Sequence, residues 1–205
     1  MTRLTRADLE GPTPDVARRL LGMRLVHDGP EGRCSGRIVE TEAYLAEGDA
    51  ACHAHGGRTA RNASMFLAPG HAYVYLIYGV HLCFNVVTGP RGVGEAVLVR
   101  ALEPLEGLER MRARRGGVST VELCNGPGKL VQALGIGRDA DGASLMHGKS
   151  RLLAPTRGWS GGPIEVGPRV GITRSRDLAL RCYCLGSPFV SRAGRASGRL
   201  QRGAR

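Results

Sequence analysis

The stretch from Tyr73 to Val87 constrains the fold of this chain more than any other. Its residues are almost all apolar or aromatic, with interruptions at Gly79, His81 and Asn85. Because such a run suits two strands that are covered on both faces, it predicts a β-hairpin that turns near Gly79 and carries Tyr78 at its tip. Asn85 would be a costly polar group inside such a strand unless it meets a partner or a ligand.

Aromatic residues are concentrated around this hairpin. Nine of the 205 residues are aromatic, and six lie between positions 44 and 84: Tyr44, Phe66, Tyr73, Tyr75, Tyr78 and Phe84. A hydrophobic core would spread its rings along the chain, whereas a site that stacks planar bases gathers them. A ring is also unusual at a tight turn, which favours Asn, Asp or Gly. Tyr78 can pack against a neighbouring loop or form a wedge between nucleic-acid bases, and the nearby rings favour the wedge.

Patterns in the rest of the chain predict an α+β fold. Strands are expected over 23–28, 33–44, 96–100, 151–154, 168–173 and 181–185. Helices are expected over 13–22, from Pro104 to Gly116-Gly117, and over 126–135. We therefore expect a single compact domain over residues 1–191, with a curved, mostly antiparallel sheet, peripheral helices and a protruding β-hairpin. The arginine-rich segment 192–205 has no apolar face, which predicts a basic, disordered tail.

Composition narrows the classes of function. The formal net charge of +11 indicates a polyanionic partner, since clustered cations gain affinity by releasing counterions from a phosphate backbone. Part of this charge can reflect a general preference for arginine, because only Lys129 and Lys149 are lysines. No apolar run is long enough to span a membrane. The chain starts without an apolar stretch and its cysteines are scattered, so we expect a cytoplasmic protein with reduced thiols.

Glu40 and Glu42 share one face of the expected strand 33–44, because side chains alternate with a two-residue period. They can be two carboxylates on a solvated face. They can also include a general base, since a carboxylate beside aromatic rings is partly desolvated and its pKa rises. A third alternative is a glycosidase acid and base, because such residues lie roughly 6.5–7 Å apart at Cα, near the separation found in inverting enzymes. Spacing alone leaves all three open.

Two further motifs are considered as metal and phosphate sites. Cys52, His53 and His55 suggest zinc, but their spacing does not suit a tetrahedral ion and no Cys-x-x-Cys pair follows, so we expect no metal. The segment Gly126-Pro-Gly-Lys129 is not a P-loop, because Leu130 stands where Ser or Thr is required. As a glycine-flanked helix start with a lysine, it can still form a nest for a DNA phosphate.

Several short motifs follow one another in a specific order along the chain. They are Gly36-Arg-Ile-Val-Glu-Thr-Glu-Ala-Tyr44, His53 with Gly56-Gly-Arg-Thr-Ala-Arg-Asn62, Met65-Phe66, the hairpin from Tyr73 to Gly79, Arg100 to Gly107, Gly126 to Leu130, Arg169-Val-Gly171 and Gly186-Ser-Pro188. In this order they resemble the alkyladenine (3-methyladenine) DNA glycosylase family, from about residue 13 to 191. The resemblance implies a monofunctional enzyme of base excision repair, which flips alkylated or deaminated purines out of duplex DNA and hydrolyses their glycosidic bond.

The resemblance also implies the catalytic residues. Glu42 corresponds to the general base that activates water. Arg100 and the backbone carbonyl of Val170 correspond to groups that help to hold this water. The family reaction implies no cofactor and no metal.

The same resemblance implies a pocket for the flipped base. Tyr44, His53 and Tyr75 correspond to the groups that stack on the base. The backbone near Ala51 and His53 is expected to read the edge of the base. Asn85 corresponds to a residue that disfavours guanine by crowding its 2-amino group.

The contacts with DNA outside the pocket are implied as well. Tyr78 corresponds to the intercalating wedge, and Arg58, Arg61 and Lys129 stand where phosphate contacts are expected. The sequence departs from the family pattern at several positions, which leaves the preference among lesions open; these are Cys52, His55, Ala60 and Val80.

Two classes of function remain. One is the glycosylase; the other is a nucleic-acid binding module of the same fold that recognises lesions without cutting them. A pure binding module needs the aromatic stack but not Glu42 together with Arg100, so these two residues favour the enzyme. A glycosidase of free carbohydrate is a distant third. We expect damaged double-stranded DNA as the partner, no obligate protein partner, and a monomer.

Overall fold

An antiparallel sheet of eight strands, curled into half a barrel, forms the centre of the molecule. The computed structural model describes residues 4–155, 159 and 162–191, and the expected tail over 192–205 lies outside these described residues. The strands are β1 (Arg24–Gly29), β2 (Gly32–Tyr44), β3 (Ala72–Ile77), β4 (His81–Val87), β5 (Ala96–Glu106), β6 (Ser150–Leu153), β7 (Ile164–Gly167) and β8 (Arg181–Cys184). Their order is β3-β4-β5-β2-β1-β6, and β8 pairs with both β2 and β7.

Three short α-helices pack on this sheet: α1 (Thr13–Arg19), α2 (Leu108–Arg114) and α3 (Pro127–Leu134). The first contacts β2, β5 and β8, and α3 contacts β4 and β5. One buried cluster joins the helices to the sheet. It includes Leu20, Leu130 and Leu134 in or directly after the helices, and Phe84 and Leu102 in the sheet. Burial of each such side chain contributes roughly 1.5–3 kcal/mol. The expected α+β fold, with a curved antiparallel sheet and peripheral helices, is therefore confirmed.

The expected hairpin is present as β3 and β4, joined by Tyr78, Gly79 and Val80. Tyr75 lies opposite Cys83 in its register. Tyr78 sits at the tip with a φ of 52°, in the left-handed region, and its side chain is 82% exposed. Val80 is 71% exposed. The hairpin thus presents two apolar side chains to solvent beyond the sheet.

Strand β2 has partners on both edges. It pairs with β5 from Ser35 to Tyr44, and its other edge pairs first with β1 and then, over Glu40 to Glu42, with β8. The register with β5 shifts on both sides of Glu40. Such irregularities redirect side chains and are frequent beside functional sites. The two glutamates therefore lie inside the sheet, not on a solvated face.

The prediction that Pro104 starts a helix is wrong. Strand β5 continues through Glu106, with Pro104 opposite Gly36 of β2, and α2 begins only at Leu108. Proline is tolerated there because β4 pairs only with the first part of β5, from Ala96 to Leu98. Long-range strand pairing thus overrides the local preference of proline for a helix start.

The strand expected over 168–173 is also absent. The strand before it, β7, ends at Gly167, and residues 168–173 form an irregular loop. The Val170 amide donates to the Glu42 carboxylate, and its carbonyl accepts a hydrogen bond from Arg100. The backbone groups of Val170 therefore form hydrogen bonds with side chains of the sheet. In a strand they would form them with the backbone of a neighbouring strand.

The other elements confirm the sequence predictions with shifted ends. The helix expected over 13–22 ends at Arg19, and the strand expected over 96–100 extends to Glu106. The helix expected over 126–135 runs from Pro127 to Leu134, between Gly126 and the left-handed Gly135. None of the helices in the described ranges is long and apolar enough to cross a membrane.

The junction between β5 and α2 allows a test of this register. Gly107 has a φ of 80°, and a Cβ there would lie 2.6 Å from the carbonyl oxygen of Arg33. Gly116, beyond the other end of α2, has a φ of 67° with open space around it. Gly116→Ala should cost about 1–2 kcal/mol for the left-handed backbone alone. Gly107→Ala should cost clearly more in urea unfolding, because the backbone must also move. Equal losses for the two variants would contradict the described junction.

Candidate active site

A cavity of about 160 Å³ opens where β2, β3, β4 and β5 meet two loops, over 45–62 and 168–180. An engineered cavity of about 150 Å³ admits a benzene ring, so this volume suits a planar ring of similar width. The cavity is lined by Tyr44, Ala51, His53, Met65, Tyr73, Tyr75, Ile77, Cys83, Asn85, Leu98, Arg100, Pro127, Val170, Gly171 and Ile172.

All five residues that the sequence assigned to a base pocket line this cavity. Tyr44 comes from β2, Tyr75 from β3 and Asn85 from β4, while Ala51 and His53 come from the loop after β2. The fold thus brings them together from four segments of the chain. Their part in binding a base remains a prediction.

Three rings form a contiguous wall of the cavity. The ring centroids of His53 and Tyr75 lie 4.4 Å apart with an interplanar angle of 75°. Tyr73 and Tyr75 are stacked at 5.3 Å and 28°. Tyr73 also fixes His53, because its hydroxyl lies 2.8 Å from Nδ1 of the imidazole. Such offset and edge contacts are favourable between aromatic rings.

The wall is uncharged at neutral pH. Burial raises the pKa of the Tyr73 and Tyr75 phenols. Partial desolvation lowers the pKa of the His53 imidazole, and the nearby Arg61 guanidinium lowers it further. Neutral rings present electron-rich faces, which attract a cationic planar ligand.

Glu42 does not itself line the cavity, and its side chain is fully buried. Its carboxylate accepts hydrogen bonds from the Val170 amide at 2.7 Å and from the Tyr44 hydroxyl at 3.0 Å. Arg100 Nη1 donates to it at 3.3 Å. All three donors belong to residues that line the cavity. The Glu42 carboxylate therefore lies behind Tyr44, Arg100 and Val170, which line the space where a ligand would sit.

The electrostatic environment makes Glu42 a stronger base than an ordinary glutamate. Burial has the largest influence and raises its pKa above the usual 4.5. The charge of Arg100 and the hydrogen bonds from Val170 and Tyr44 lower the pKa in part, and the nearby Glu40 raises it. A carboxylate that is desolvated but still hydrogen-bonded can accept a proton from water.

Arg100 connects the other two residues that the resemblance assigned to catalysis, Glu42 and Val170. Its Nη1 atom donates both to Glu42 and, at 3.4 Å, to the carbonyl oxygen of Val170. Its Nε lies 3.3 Å from Glu40 Oε1. The structure therefore gathers Glu42, Arg100 and Val170 at one point. The sequence did not anticipate that the Val170 amide would also bind the carboxylate.

Glu40 is held apart from the cavity. It is fully buried and accepts hydrogen bonds from Arg181 Nε at 2.8 Å and from the Ser191 amide and hydroxyl at 2.8 and 3.0 Å. Neither Arg181 nor Ser191 lines the cavity. A glycosidase acid and base would need both carboxylates at one cleft, so this arrangement does not favour that alternative.

Two polar groups of the pocket already have protein partners. The Asn85 side-chain amide donates to the Tyr73 carbonyl at 2.9 Å. Asn85 thus has the partner that a polar side chain in this apolar strand was expected to need. The Ala51 amide donates to Asp49 Oδ1 at 3.1 Å. The Ala51 amide is therefore already occupied by a partner within the protein.

The residues expected to contact DNA lie in the loop after β2, at the tip of the hairpin and in α3. Tyr78 does not pack against a neighbouring loop, because its side chain projects into solvent. Arg58 and Arg61 are exposed, and Arg61 donates one hydrogen bond to the Leu76 carbonyl of β3. Lys129, in the first turn of α3, donates to Asn125 Oδ1 at 2.9 Å. Their contacts with DNA remain predictions.

Sequence reasoning missed three residues of the site. Tyr73 had not been assigned a role, although the two-residue period places it on the same face of β3 as Tyr75. Asp49 and Arg169 form a fully buried ion pair beside Tyr44, with N–O distances of 2.6 and 2.7 Å. No local pattern indicates that pair, because its members are 120 positions apart.

The possible zinc ligands do not converge. Cys52 is buried and donates to the Gly94 carbonyl, while His53 faces the cavity and Tyr73. In the described part of the chain, no group of three or more His, Cys, Asp or Glu side chains could hold a metal ion.

The raised pKa of Glu42 predicts a specific dependence of stability on pH. The folded protein binds this proton more tightly than the unfolded chain, so ionisation of Glu42 destabilises the fold. The free energy of unfolding of the wild type, minus that of Glu42→Gln, should therefore fall as the pH rises from about 4.5 through the folded-state pKa. Urea unfolding at a series of pH values measures this difference. Glu47→Gln, at an exposed position, controls for the loss of a charge. A difference that is constant or increases would refute the described environment.

Comparison with known proteins agrees with this geometry. The sequence profile of the family described as methylpurine-DNA glycosylase (MPG) matches residues 7–188. A protein of Methanoculleus marisnigri is 52% identical over 92% of this chain and 98% of its own length. One from Prosthecochloris aestuarii is 47% identical over 94% and 93%, respectively. Both proteins are provisionally named 3-methyladenine DNA glycosylase. The chain belongs to the methylpurine-DNA glycosylase family.

Proposed function

We propose that this protein is a monofunctional DNA glycosylase that flips alkylated or deaminated purines out of damaged duplex DNA and hydrolyses their N-glycosidic bond. The observation that carries this proposal is the buried Glu42 carboxylate, which accepts hydrogen bonds from Tyr44, Arg100 and Val170, three residues that line the aromatic cavity. Membership of the methylpurine-DNA glycosylase family supports it. The protein is proposed to act as a monomer, without a cofactor or an obligate protein partner.

The chemistry follows from the arrangement around Glu42. Cleavage of the bond between base and sugar leaves positive charge on C1′, which a nearby carboxylate stabilises. Water then adds to C1′ and gives its proton to Glu42, while the electron pair of the broken bond leaves with the base. Arg100 Nη1 and the Val170 carbonyl lie beside the carboxylate and are suited to hold that water.

The aromatic wall gives a reason for selectivity. A purine alkylated at N3 or N7 is cationic, so it leaves more readily and is attracted to neutral rings by about 0.5–2 kcal/mol. His53, Tyr73 and Tyr75 provide such rings at one side of the cavity. Damaged pairs also cost less to open, which adds selectivity at the flipping step. A deaminated, neutral base depends more on protonation of the leaving group.

The surface around the cavity suits duplex DNA. The net charge is +11, and Arg58 and Arg61 are exposed in the loop that carries His53. Lys129 lies one residue after Gly128, which packs against His81 at the base of the hairpin tip. We propose that these cations bind phosphates while Tyr78 occupies the space of the flipped nucleotide.

A lesion-binding module is the second candidate. It would need the aromatic wall but would gain nothing from a buried carboxylate, whose desolvation costs several kcal/mol unless donors are provided. The three donors around Glu42 therefore favour the enzyme.

Glu42→Gln separates these candidates. The variant should bind damaged duplex as the wild type does, because Gln keeps the shape of the side chain. Its single-turnover rate of base release should fall by about 10²-fold or more, in line with usual general-base contributions. Glu40→Gln should slow the reaction much less, because Glu40 is turned toward Arg181 and Ser191. Equal rates for the wild type and Glu42→Gln would end the assignment.

The wedge is tested by Tyr78→Ser, with Tyr75→Ser as the comparison. Loss of the Tyr78 ring should weaken flipping in duplex DNA by roughly 1–3 kcal/mol and leave the bond-cleavage step unchanged. Its effect should shrink opposite a mismatch, where opening is already cheap. Tyr75→Ser should instead impair discrimination between damaged and normal purines. A fluorescent base reports flipping, and equal Tyr78→Ser defects at matched and mismatched sites would show that Tyr78 is not a wedge.

A further inference from the structure

The loop between β7 and β8 has no regular structure, yet it carries Val170, whose backbone binds both Glu42 and Arg100. One ion pair attaches this loop to the turn after β2. Arg169 Nη1 lies 2.6 Å from Asp49 Oδ2, and Nη2 lies 2.7 Å from Oδ1. Both side chains are fully buried. The bidentate geometry fixes the guanidinium in orientation as well as in position.

Some of the other contacts of the pair reach residues that line the cavity or lie next to them in the chain. Asp49 accepts the backbone amide of Ala51, a lining residue. Arg169 donates to the Ala43 carbonyl at 3.0 Å, between Glu42 and Tyr44 in the chain. Its guanidinium carbon lies 4.6 Å from the centroid of the Tyr44 ring. The pair therefore contacts two residues that line the cavity, Ala51 through Asp49 and Tyr44 through Arg169.

Stability alone does not explain this arrangement. Two charges withdrawn from water lose much of their hydration energy, and well-packed apolar side chains are often as stable as a buried ion pair. Burial raises the pKa of Asp49, but the hydrogen bonds from Arg169, Leu45 and Ala51 and the charge of Arg169 together lower it below its ordinary value. A bidentate ion pair fixes the orientation of its two side chains, which apolar packing does not do.

We propose, on the basis of the function proposed above, that Asp49 and Arg169 are positioning residues that set two of the three hydrogen-bond donors on the Glu42 carboxylate. Val170 follows Arg169 directly, and the planar peptide between them carries the amide that donates to Glu42. The guanidinium over the Tyr44 ring sets the second donor, because the hydroxyl of this ring binds the same carboxylate. Neither Asp49 nor Arg169 hydrogen-bonds to Glu42 itself.

The pH dependence of the reaction distinguishes positioning from a direct effect of charge. Removing the Asp49 charge leaves Arg169 uncompensated near Glu42, so electrostatics alone would lower the pKa of Glu42. Releasing the loop withdraws the Val170 amide, and the loss of a donor to the carboxylate would raise that pKa. The other groups that face Glu42 are the same in the wild type and in a variant of Asp49, so they do not account for a difference between the two. They are Glu40 and Tyr44 on β2, Cys83 on β4 and Arg100 on β5.

The experiment compares Asp49→Asn with the wild type. Base release is measured in single turnovers across pH, on a duplex with one alkylated purine, together with the Kd for the same duplex. We expect a rate lower by about tenfold to hundredfold, since misplacement of catalytic groups by about 1 Å can cost on the order of 10²-fold. We also expect the acid limb of the profile to move to higher pH, with less than about a threefold change in Kd. An unchanged rate, or an acid limb that is unmoved or moves to lower pH, would overturn the proposal.

Glu103→Gln is the matched control for loss of an ion pair. Glu103 pairs with Arg37 across β5 and β2, and neither residue lines the cavity. Its rate should remain within about twofold of the wild type and its acid limb unmoved. A defect like that of Asp49→Asn would mean that general loosening of the sheet causes the effect, and would overturn the proposal.

Two further measurements keep the test independent of folding of Asp49→Asn and of the proposed activity. Arg169→Lys keeps the cation but lacks the planar fork that forms two parallel hydrogen bonds with a carboxylate, so it should also move the acid limb to higher pH. Hydrogen exchange of the Val170 amide needs no DNA. It should be slow in the wild type and faster in Arg169→Lys. Rapid exchange in the wild type would overturn the proposal, whereas slow exchange in a protein that releases no base would refute the proposed function alone.

Discussion

One constraint governs this site: a carboxylate withdrawn from water must receive its hydrogen bonds from the protein. Glu42 is fully buried, yet donors reach it from its own strand, from β5 and from the loop before β8. Without such donors an ionised carboxylate is destabilised by several kcal/mol. The site therefore depends on three segments being held together: the long pairing of β2 with β5 places Arg100, and the Asp49–Arg169 pair attaches the loop that carries Val170.

The same framework separates the inside of the cavity from its rim. In and behind the lining of the cavity, burial raises the pKa of the Tyr75 phenol and of Glu42, which makes Glu42 more basic. At the rim, the hairpin exposes Tyr78 and Val80, and the arginines of the loop after β2 face solvent. Binding of a polyanion at the rim is expected to depend on salt, whereas the hydrogen bonds around Glu42 are shielded from it. Affinity for nucleic acid and chemistry at the carboxylate can thus change independently.

Local patterns in the sequence predicted the hairpin and most of the strands, whereas the roles of the site residues came from the resemblance to the glycosylase family. The two-residue period placed both glutamates of β2 on one face, and both contact Arg100. Local patterns failed where distant contacts decide the structure. Pro104 lies in a strand because β2 pairs with it, and Val170 lies in a loop because its backbone binds side chains. The pair of Asp49 and Arg169 joins two loops 120 positions apart, so only the folded chain places them together.

The measurement that tests the central claim most directly is base release by the wild type. A duplex with a single 3-methyladenine-type lesion is incubated with the protein in EDTA, and the products are identified by mass spectrometry. The account predicts a free modified base and an uncut strand with an abasic site, with no protein–DNA adduct trapped by borohydride. Tight binding of the damaged duplex without release of the base would contradict it, and would make the cavity a lesion-binding site only.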